Sequence, residues 1–554
     1  MRGSAVAALL FIVFIVLFWR LGAPTFWDPD EAHYAETSRE VLTSGDWLAP
    51  YYNERPFFDK PMLFHWLQAG AMALVGATEF GARLAPALGA LALIITTAWL
   101  GTTLVSFEVG LVAALLLAAS PSVFALARYA ILDTVFTAFL FGGASLVTVA
   151  ALKDRPHLQW GGYVLIACAV MTKGPLALVL CGLSFGLALL ASAELRRRLL
   201  ALRIWTGLVI VLVLSAPWFV YMWFRFRQDF IAGYVLDENI RLYATNRFRG
   251  RADPLFYFRV LAAGLLPWTG LLIGRLFDDA RTWLRDRKID PLDALLWCWI
   301  VAIVGFFSLS RFKLDHYVFP AAPALCLLCA RAWADVRAHT VTRASAGVRV
   351  GFHTIGPILV LIGAGGGYFM VARLELPAAA ILVPTAMLAA GALITARASF
   401  GNRQVPRVPW IALVACTVTY VGVILWVLPA LEQRKVVPDV ARWVAQNASP
   451  GARVGMFRLS RWSTAFRFYV DRHAEALDGV AEARLFFEKA DPFYCVMLGP
   501  AYEEFVALGV PIEVVYERDG MWVTSGRALW RRRLPPTRFV VVGRKAVVSR
   551  KIDP

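Results

Sequence analysis

Apolar runs of 18 to 20 residues recur along this chain of 554 residues, and no soluble core needs so many of them. A helix crosses the hydrocarbon layer with about 20 apolar residues, so the repetition commits the backbone to a polytopic membrane protein. Candidate spans fall near residues 5–23, 83–101, 107–121, 131–150, 161–172, 175–193, 204–224, 256–274, 291–309, 317–331, 352–371, 379–396 and 409–430, thirteen in all. The first run has no small-residue cleavage site before Trp19-Arg20 and more spans follow it, so it reads as a retained helix rather than a signal peptide. An odd number of spans puts the two termini on opposite sides.

Charge then orients the helices. The connections holding Lys153 and Arg155, Arg196 to Arg198 with Arg203, Arg275 to Lys288, Arg337 to Arg349, and Arg397 to Arg407 all fall on one side, which the positive-inside rule makes cytoplasmic. The loop from Pro24 to Pro61, with eight acidic and three basic residues, falls on the opposite face. So do the segments around Asp133, Lys173, Arg241 and Lys313, and the tail beyond Leu431. The net charge of +17 is spread over short loops, which favours anionic headgroups and phosphate over nucleic acid as partners. Met62 to Val75 is apolar but short, and reads as a membrane-surface helix whose Phe64, His65, Trp66 and Gln68 suit an interface. The seven cysteines show no zinc or disulfide spacing and read as small buried residues.

From about Lys435 the composition changes. Val454–Phe457, Phe493–Leu498, Ile512–Tyr516 and Phe539–Val542 read as strands, and Arg461–Val470 and Ala501–Leu508 as helices. That alternation predicts a small extracytoplasmic α/β domain over 431–554, beside a membrane domain over 1–430 that includes the outer loop 24–82. The tail has neither a Gly-rich phosphate loop nor a nucleophile elbow, so packing or acceptor docking is its expected task.

Several charged residues are not explained by span and loop placement. Asp28-Pro29-Asp30-Glu31 follows the first span, and an N-cap on the helix from Ala32 to Leu42 accounts for one of these acids. The whole group, with Glu36 and Glu40, beside an anionic surface is better explained by a carboxylate whose pKa is raised by desolvation until it can accept a proton near neutrality. Asp59-Lys60-Pro61 offers an ammonium to a lipid phosphate or a snorkelling anchor. Asp133 needs a partner, either Arg128 or a substrate group. In Thr172-Lys173-Gly174-Pro175 the Gly and Pro break a helix, whereas the lysine calls for an ion pair or a function. Arg311 to Tyr317 repeats the pattern. Lys173 and Lys313 also oppose the positive-inside trend.

Taken in order, Trp27-Asp28-Pro29-Asp30-Glu31-Ala32-His33-Tyr34-Ala35-Glu36, Phe58-Asp59-Lys60-Pro61, Thr172-Lys173-Gly174-Pro175 and Lys313-Leu314-Asp315-His316-Tyr317-Val318-Phe319-Pro320 resemble the motifs of the bacterial aminoarabinose transferases and their protein O-mannosyltransferase relatives. The resemblance covers nearly the whole chain. It implies a mainly α, polytopic transmembrane glycosyltransferase of the C-type fold, with about 13 transmembrane helices and a small extracytoplasmic α/β C-terminal domain. It places the enzyme in the bacterial inner membrane with its active site and tail facing the periplasm, as a monomer among membrane lipids. The implied donor is a polyprenyl-phosphate sugar and the implied reaction an inverting transfer to a lipid A-like or other envelope acceptor. Transfer to protein is the alternative, and a lipid or sugar transporter is the alternative from another class.

By the same resemblance Asp30, with Glu31 beside it in the motif, would be the catalytic carboxylate and Asp133 the second acidic position. Lys60 and Lys173, with Arg241, would hold the donor phosphate, and Tyr317 and Lys313 would stand near it. A divalent metal, zinc or magnesium, would be held by Asp59 and a histidine, but Asn239 stands where that histidine is expected. Asparagine is a poorer zinc ligand than imidazole, and Glu238 is the residue that could compensate. His33 stands where the family usually has arginine, and His316 where it usually has a small residue.

Overall fold

The computed structural model describes residues 2–244, 253–286, 289–339, 346–372, 376–399, 408–459, 463–522 and 536–544. The chain forms two compact units, one of Met1–Leu21, Trp47–Ala49 and Phe58–Val427 and one of Gly22–Asp46, Pro50–Phe57 and Leu428–Pro554. The acidic segment after the first helix, expected as a loop of the membrane part, thus groups with the tail.

The first unit is helical, and each of the thirteen expected spans falls on a helix. Among the described residues eight helices are long and apolar enough to cross a membrane, or ten when two bent pairs are each counted as one span. In the bent pairs Phe107–Ala118 turns by 61° into Pro121–Ala127, and Phe256–Gly264 by 117° into Thr269–Asp286. Pro121 and Pro267 lack the N–H that would carry the first helix onward, and Ser120 Oγ accepts the Val123 amide to start the second segment of the first pair.

Leu63–Val75 is a helix, as expected, but Phe64, His65 and Gln68 face other protein residues. They are buried, and the Gln68 amide donates to Ala82 O at 2.8 Å, because these positions form one helical face that packs against Glu79–Leu104. Trp66 donates its indole N–H to Trp47 O.

The hairpin of Asp133–Leu152 and Leu158–Lys173 matters most for the site. Gly143 and Gly162 face each other so closely that a Cβ on Gly143 would lie 2.7 Å from Gly162 O, so two backbones pack where side chains would hold them apart. The first residue of one helix and the last of the other meet at the open end of this antiparallel pair. Those residues are Asp133 and Lys173.

The second unit carries a five-stranded sheet in the order Glu475–Leu477, Arg453–Phe457, Phe493–Leu498, Thr537–Arg544, Ile512–Gly520. The first three strands are parallel and the last two pairings antiparallel. Phe457, Phe486, Phe493, Met497, Phe505 and Val540 fill its core. The four expected strands are present, three of them longer than expected, one of these by a single residue. The helix expected from Arg461 begins at Thr464 among the described residues, 460–462 lying outside them. The strand Glu475–Leu477 and the helices Val437–Asn447 and Val480–Glu488 were not legible as separate elements.

Candidate active site

In the first unit the charges lie at helix ends. Asp133 opens its helix and Lys173 closes its own, so each is complemented by the end of the helix dipole it occupies as well as by the other. Lys173 Nζ donates to Asp133 Oδ1 at 2.5 Å, with Asp133 3% and Lys173 9% exposed. Lys173 is therefore the partner that the sequence left open for Asp133. Arg128 instead donates to Val16 O and Arg20 O.

An unpaired ion here would cost several kcal/mol, so each residue needs the other. The ammonium lies 5.1 Å from the Tyr317 ring centre and 5.4 Å from that of Phe136, and the two aromatic faces give it a second, weaker hold. His316 Nε2 stands 3.8 Å from the other Asp133 oxygen, Oδ2.

Gly174 makes this approach possible. Its φ of +83° ends the helix immediately after Lys173, and a Cβ there would sit 2.1 Å from the Tyr234 hydroxyl.

Lys60, just before the helix Leu63–Val75, pairs with the Asp59 carboxylate and lies 3.8 Å from Glu238 Oε2. Burial pulls its ammonium down, but the fields of Asp59 and Glu238, with a smaller share from Asp133, outweigh this and hold it above its ordinary value. Lys60, Asp133 and Lys173 therefore belong to one electrostatic neighbourhood.

Other expected residues have structural tasks. Lys313 Nζ donates to Phe307 O and Ser308 O at 3.2 and 2.7 Å, capping the end of Pro291–Leu309. That cap explains a lysine on this face without a ligand. Arg241 pairs with Asp237 at 2.7 Å in an exposed position. Asp59 and Glu238 share Lys60, while the Asn239 amide donates to Tyr234 O at 2.7 Å. Among the described residues no group of three or more His, Cys, Asp or Glu could hold a metal ion. Asp59, Glu238 and Asn239, taken up by an ammonium and a backbone carbonyl, do not fit the implied divalent ion.

In the second unit the acidic run is mostly bound to its own fold. Glu31, fully buried, accepts the Trp27 amide at 2.9 Å. Glu40 accepts the amides of Asn53 and Glu54 at 2.6 and 3.0 Å. Glu36 lies 2.7 Å from Arg39 and 3.2 Å from Arg467, and burial pushes it up to about 7 against the pull of both guanidiniums. Asp28 accepts the Ala465 amide at 2.8 Å and the Thr464 hydroxyl at 3.3 Å, and burial pushes it up to about 7 as well. Asp30, the first residue of Asp30–Ser44, is exposed. His33, in the place of an arginine, packs between the rings of Tyr52 and Phe57.

Sequence reasoning missed Phe136 and Arg467. An aromatic in an apolar run gives no signal of its own, but six acids between Asp28 and Asp46 against one arginine imply that cations come from elsewhere in the chain.

A family model described as dolichyl-phosphate-mannose-protein mannosyltransferase matches residues 7–230. An undecaprenyl phosphate-alpha-4-amino-4-deoxy-L-arabinose arabinosyl transferase of Sodalis glossinidius is 34% identical over 388 residues, which are 67% of this chain and 67% of that protein. The transferase of the same description from Pectobacterium atrosepticum is 32% identical over 60% of this chain, and the match spans 58% of that relative's length. Among solved structures, ArnT from Cupriavidus metallidurans bound to undecaprenyl phosphate superposes with a TM-score of 0.75 at 23% identity, over 99% of this chain and 98% of that one. An oligosaccharyltransferase from Archaeoglobus fulgidus reaches 0.50 at 13% identity over 89% of this chain and 69% of that one.

Proposed function

Because the chain belongs to the family of the undecaprenyl phosphate-4-amino-4-deoxy-L-arabinose arabinosyl transferases, multi-pass membrane glycosyltransferases that use a polyprenyl-phosphate-linked sugar, we propose that it transfers an aminoarabinose-like sugar from such a donor to a lipid A-like acceptor. The reaction runs on the periplasmic face of the inner membrane with inversion at the anomeric carbon.

The observation that carries this reading is the pairing of Lys173 with Asp133 beside Tyr317, with Lys60 acting on the same carboxylate. When the bond between the anomeric carbon and the phosphate oxygen breaks, negative charge gathers on the departing polyprenyl phosphate. Ammonium groups already fixed in a water-poor site stabilise that charge without reorganising. Lys60 and Lys173 are such groups, and each is held by a carboxylate side chain, Asp59 or Asp133, whose place a phosphate can take; Lys60 Nζ also donates to Asp59 O at 3.1 Å.

Asp30 orients the acceptor and takes the proton of an attacking hydroxyl, a role that rests on its motif and its exposure. Where the acceptor is itself a phosphate its oxygen is already nucleophilic, and Asp30 positions it. The residues matched to the metal do not fit one, so no step passes through a metal.

The test is turnover by the full chain reconstituted in lipid with polyprenyl-phosphate aminoarabinose and lipid A, followed by mass spectrometry. Lipid A gaining one sugar supports the reading. Transfer only to a peptide hydroxyl would support the mannosyltransferase-like alternative that the family model favours, and no transfer from any polyprenyl-phosphate sugar would overturn both.

A further inference from the structure

The Asp133 carboxylate has two nitrogen neighbours, one for each oxygen: Lys173 Nζ at 2.5 Å from Oδ1 and His316 Nε2 at 3.8 Å from Oδ2. His316 also meets the Tyr317 ring edge-on at 5.2 Å, and the Lys173 ammonium lies over that ring. Lysine and histidine therefore share both an acid and an aromatic face. With a neutral imidazole, Asp133 and Lys173 cancel and the lysine's charge is spent on the carboxylate. An imidazolium takes part of that carboxylate's field and leaves the group with one surplus positive charge.

We infer that His316 is a positioning residue that sets how far the Lys173 ammonium is released from Asp133 to hold a phosphate, an inference that rests on the donor-binding reading of Lys173 above. Among the described groups packed around this segment, His316 is the imidazole. Its own segment offers Asp315 and Tyr317, Asp133–Leu152 offers Asp133, and Phe256–Gly264 offers Tyr257 and an Arg259 paired with Asp253. Pro121–Ala127 offers none. On Pro291–Leu309 and Ala322–His339, Asp293, Arg331 and Asp335 are engaged with one another or with Arg275, Arg337 pairs with Glu108, and Cys298, Cys326 and Cys329 are free thiols. Lys60, tied to Asp59 and Glu238, acts on Asp133 from farther away. Histidine is the side chain whose ordinary titration spans about pH 5 to 8, whereas a phosphodiester keeps its single negative charge throughout that range.

The experiment measures the affinity of the purified full chain in detergent for a polyprenyl methyl phosphodiester. Wild type is expected to bind roughly fivefold more weakly at about pH 8 than at about pH 5.5. His316→Gln should bind weakly at both, and His316→Lys, a permanent cation, tightly at both. A His316→Gln protein that keeps the wild-type pH dependence would overturn the inference, as would a wild type whose affinity is flat. If His316→Gln does not fold, His316→Lys decides: a flat, tight profile supports the inference and a wild-type slope defeats it. The probe carries no sugar, so failure of sugar transfer in a turnover assay and failure of pH-dependent binding here are separate results.

Discussion

Both units bury carboxylates near the motifs that the sequence singled out, and they use them in opposite ways. In the second unit Asp28, Glu31 and Glu40 accept backbone amides, of Ala465, of Trp27, and of Asn53 and Glu54, so losing one of these acids unfastens main chain. In the first unit Asp133 and Asp59 bind lysine ammonium groups, so the bonds can be exchanged for others while the helices stay in place. The same functional group reads as scaffold where it holds N–H groups that would otherwise be orphaned, and as chemistry where it holds a side-chain ammonium that a ligand can share.

Asp30 sharpens the contrast most, because it belongs to the run of scaffold acids and yet is exposed. Asp30→Asn should lower turnover by roughly 10²- to 10⁴-fold, the usual range for losing a general base, while the melting temperature stays close to wild type. Steady-state transfer and a thermal melt of one preparation check both, and unchanged turnover would remove Asp30 from the mechanism.

Arg467 tests the scaffold side. It lies 3.2 Å from Glu36 and 3.6 Å from Glu40, and its Nε donates to Asn53 at 3.0 Å, all buried. Arg467→Ala leaves two buried acids short of their cation and should destabilise the second unit by about 3–5 kcal/mol, read as lost expression and easier proteolysis. A variant as stable as wild type would show that these acids do not depend on the guanidinium.

The smallest effect expected is one of pH. Asp28 is raised to about 7 by burial, above its ordinary 3.8. A group raised in the folded state contributes stability that is complete below its ordinary pKa and lost as pH rises through the folded value. With Glu36 raised to about 7 as well, the second unit should gain roughly 2 kcal/mol between about pH 8 and about pH 6, and Asp28→Asn should remove about half of that gain. A melt that falls over that range on acidification would reverse the assignment.

The membrane helices were legible because hydrocarbon thickness fixes the length of an apolar run and charge fixes its direction. The bends were not, since Pro121 and Pro267 look alike in sequence whether they tilt a span or break it. Lys60 and Lys173 stand out in the sequence because a lysine beside apolar residues needs a partner, and each has a carboxylate in the structure. Lys313 gave the same signal for a different reason, its bonds to Phe307 O and Ser308 O, which only folding reveals. Asp133's choice of Lys173 over Arg128 was hidden too, because it follows from the glycine contact that brings two helices together 40 residues apart. The metal expected at Asp59 and Asn239 was carried over from the family, whereas in the structure Asp59 pairs with Lys60 and the Asn239 amide donates to Tyr234 O.

The most direct test of the account is the affinity of wild type, Lys60→Ala, Lys173→Ala and Arg453→Ala for a polyprenyl phosphodiester in detergent. Arg453 is a partly buried cation of the second unit's sheet, paired with Glu475 at 2.8 Å. The account predicts that each lysine variant loses roughly tenfold or more in affinity, the scale of one charge-assisted bond to phosphate, and that Arg453→Ala binds like wild type. Lysine variants that bind as tightly as wild type would contradict it.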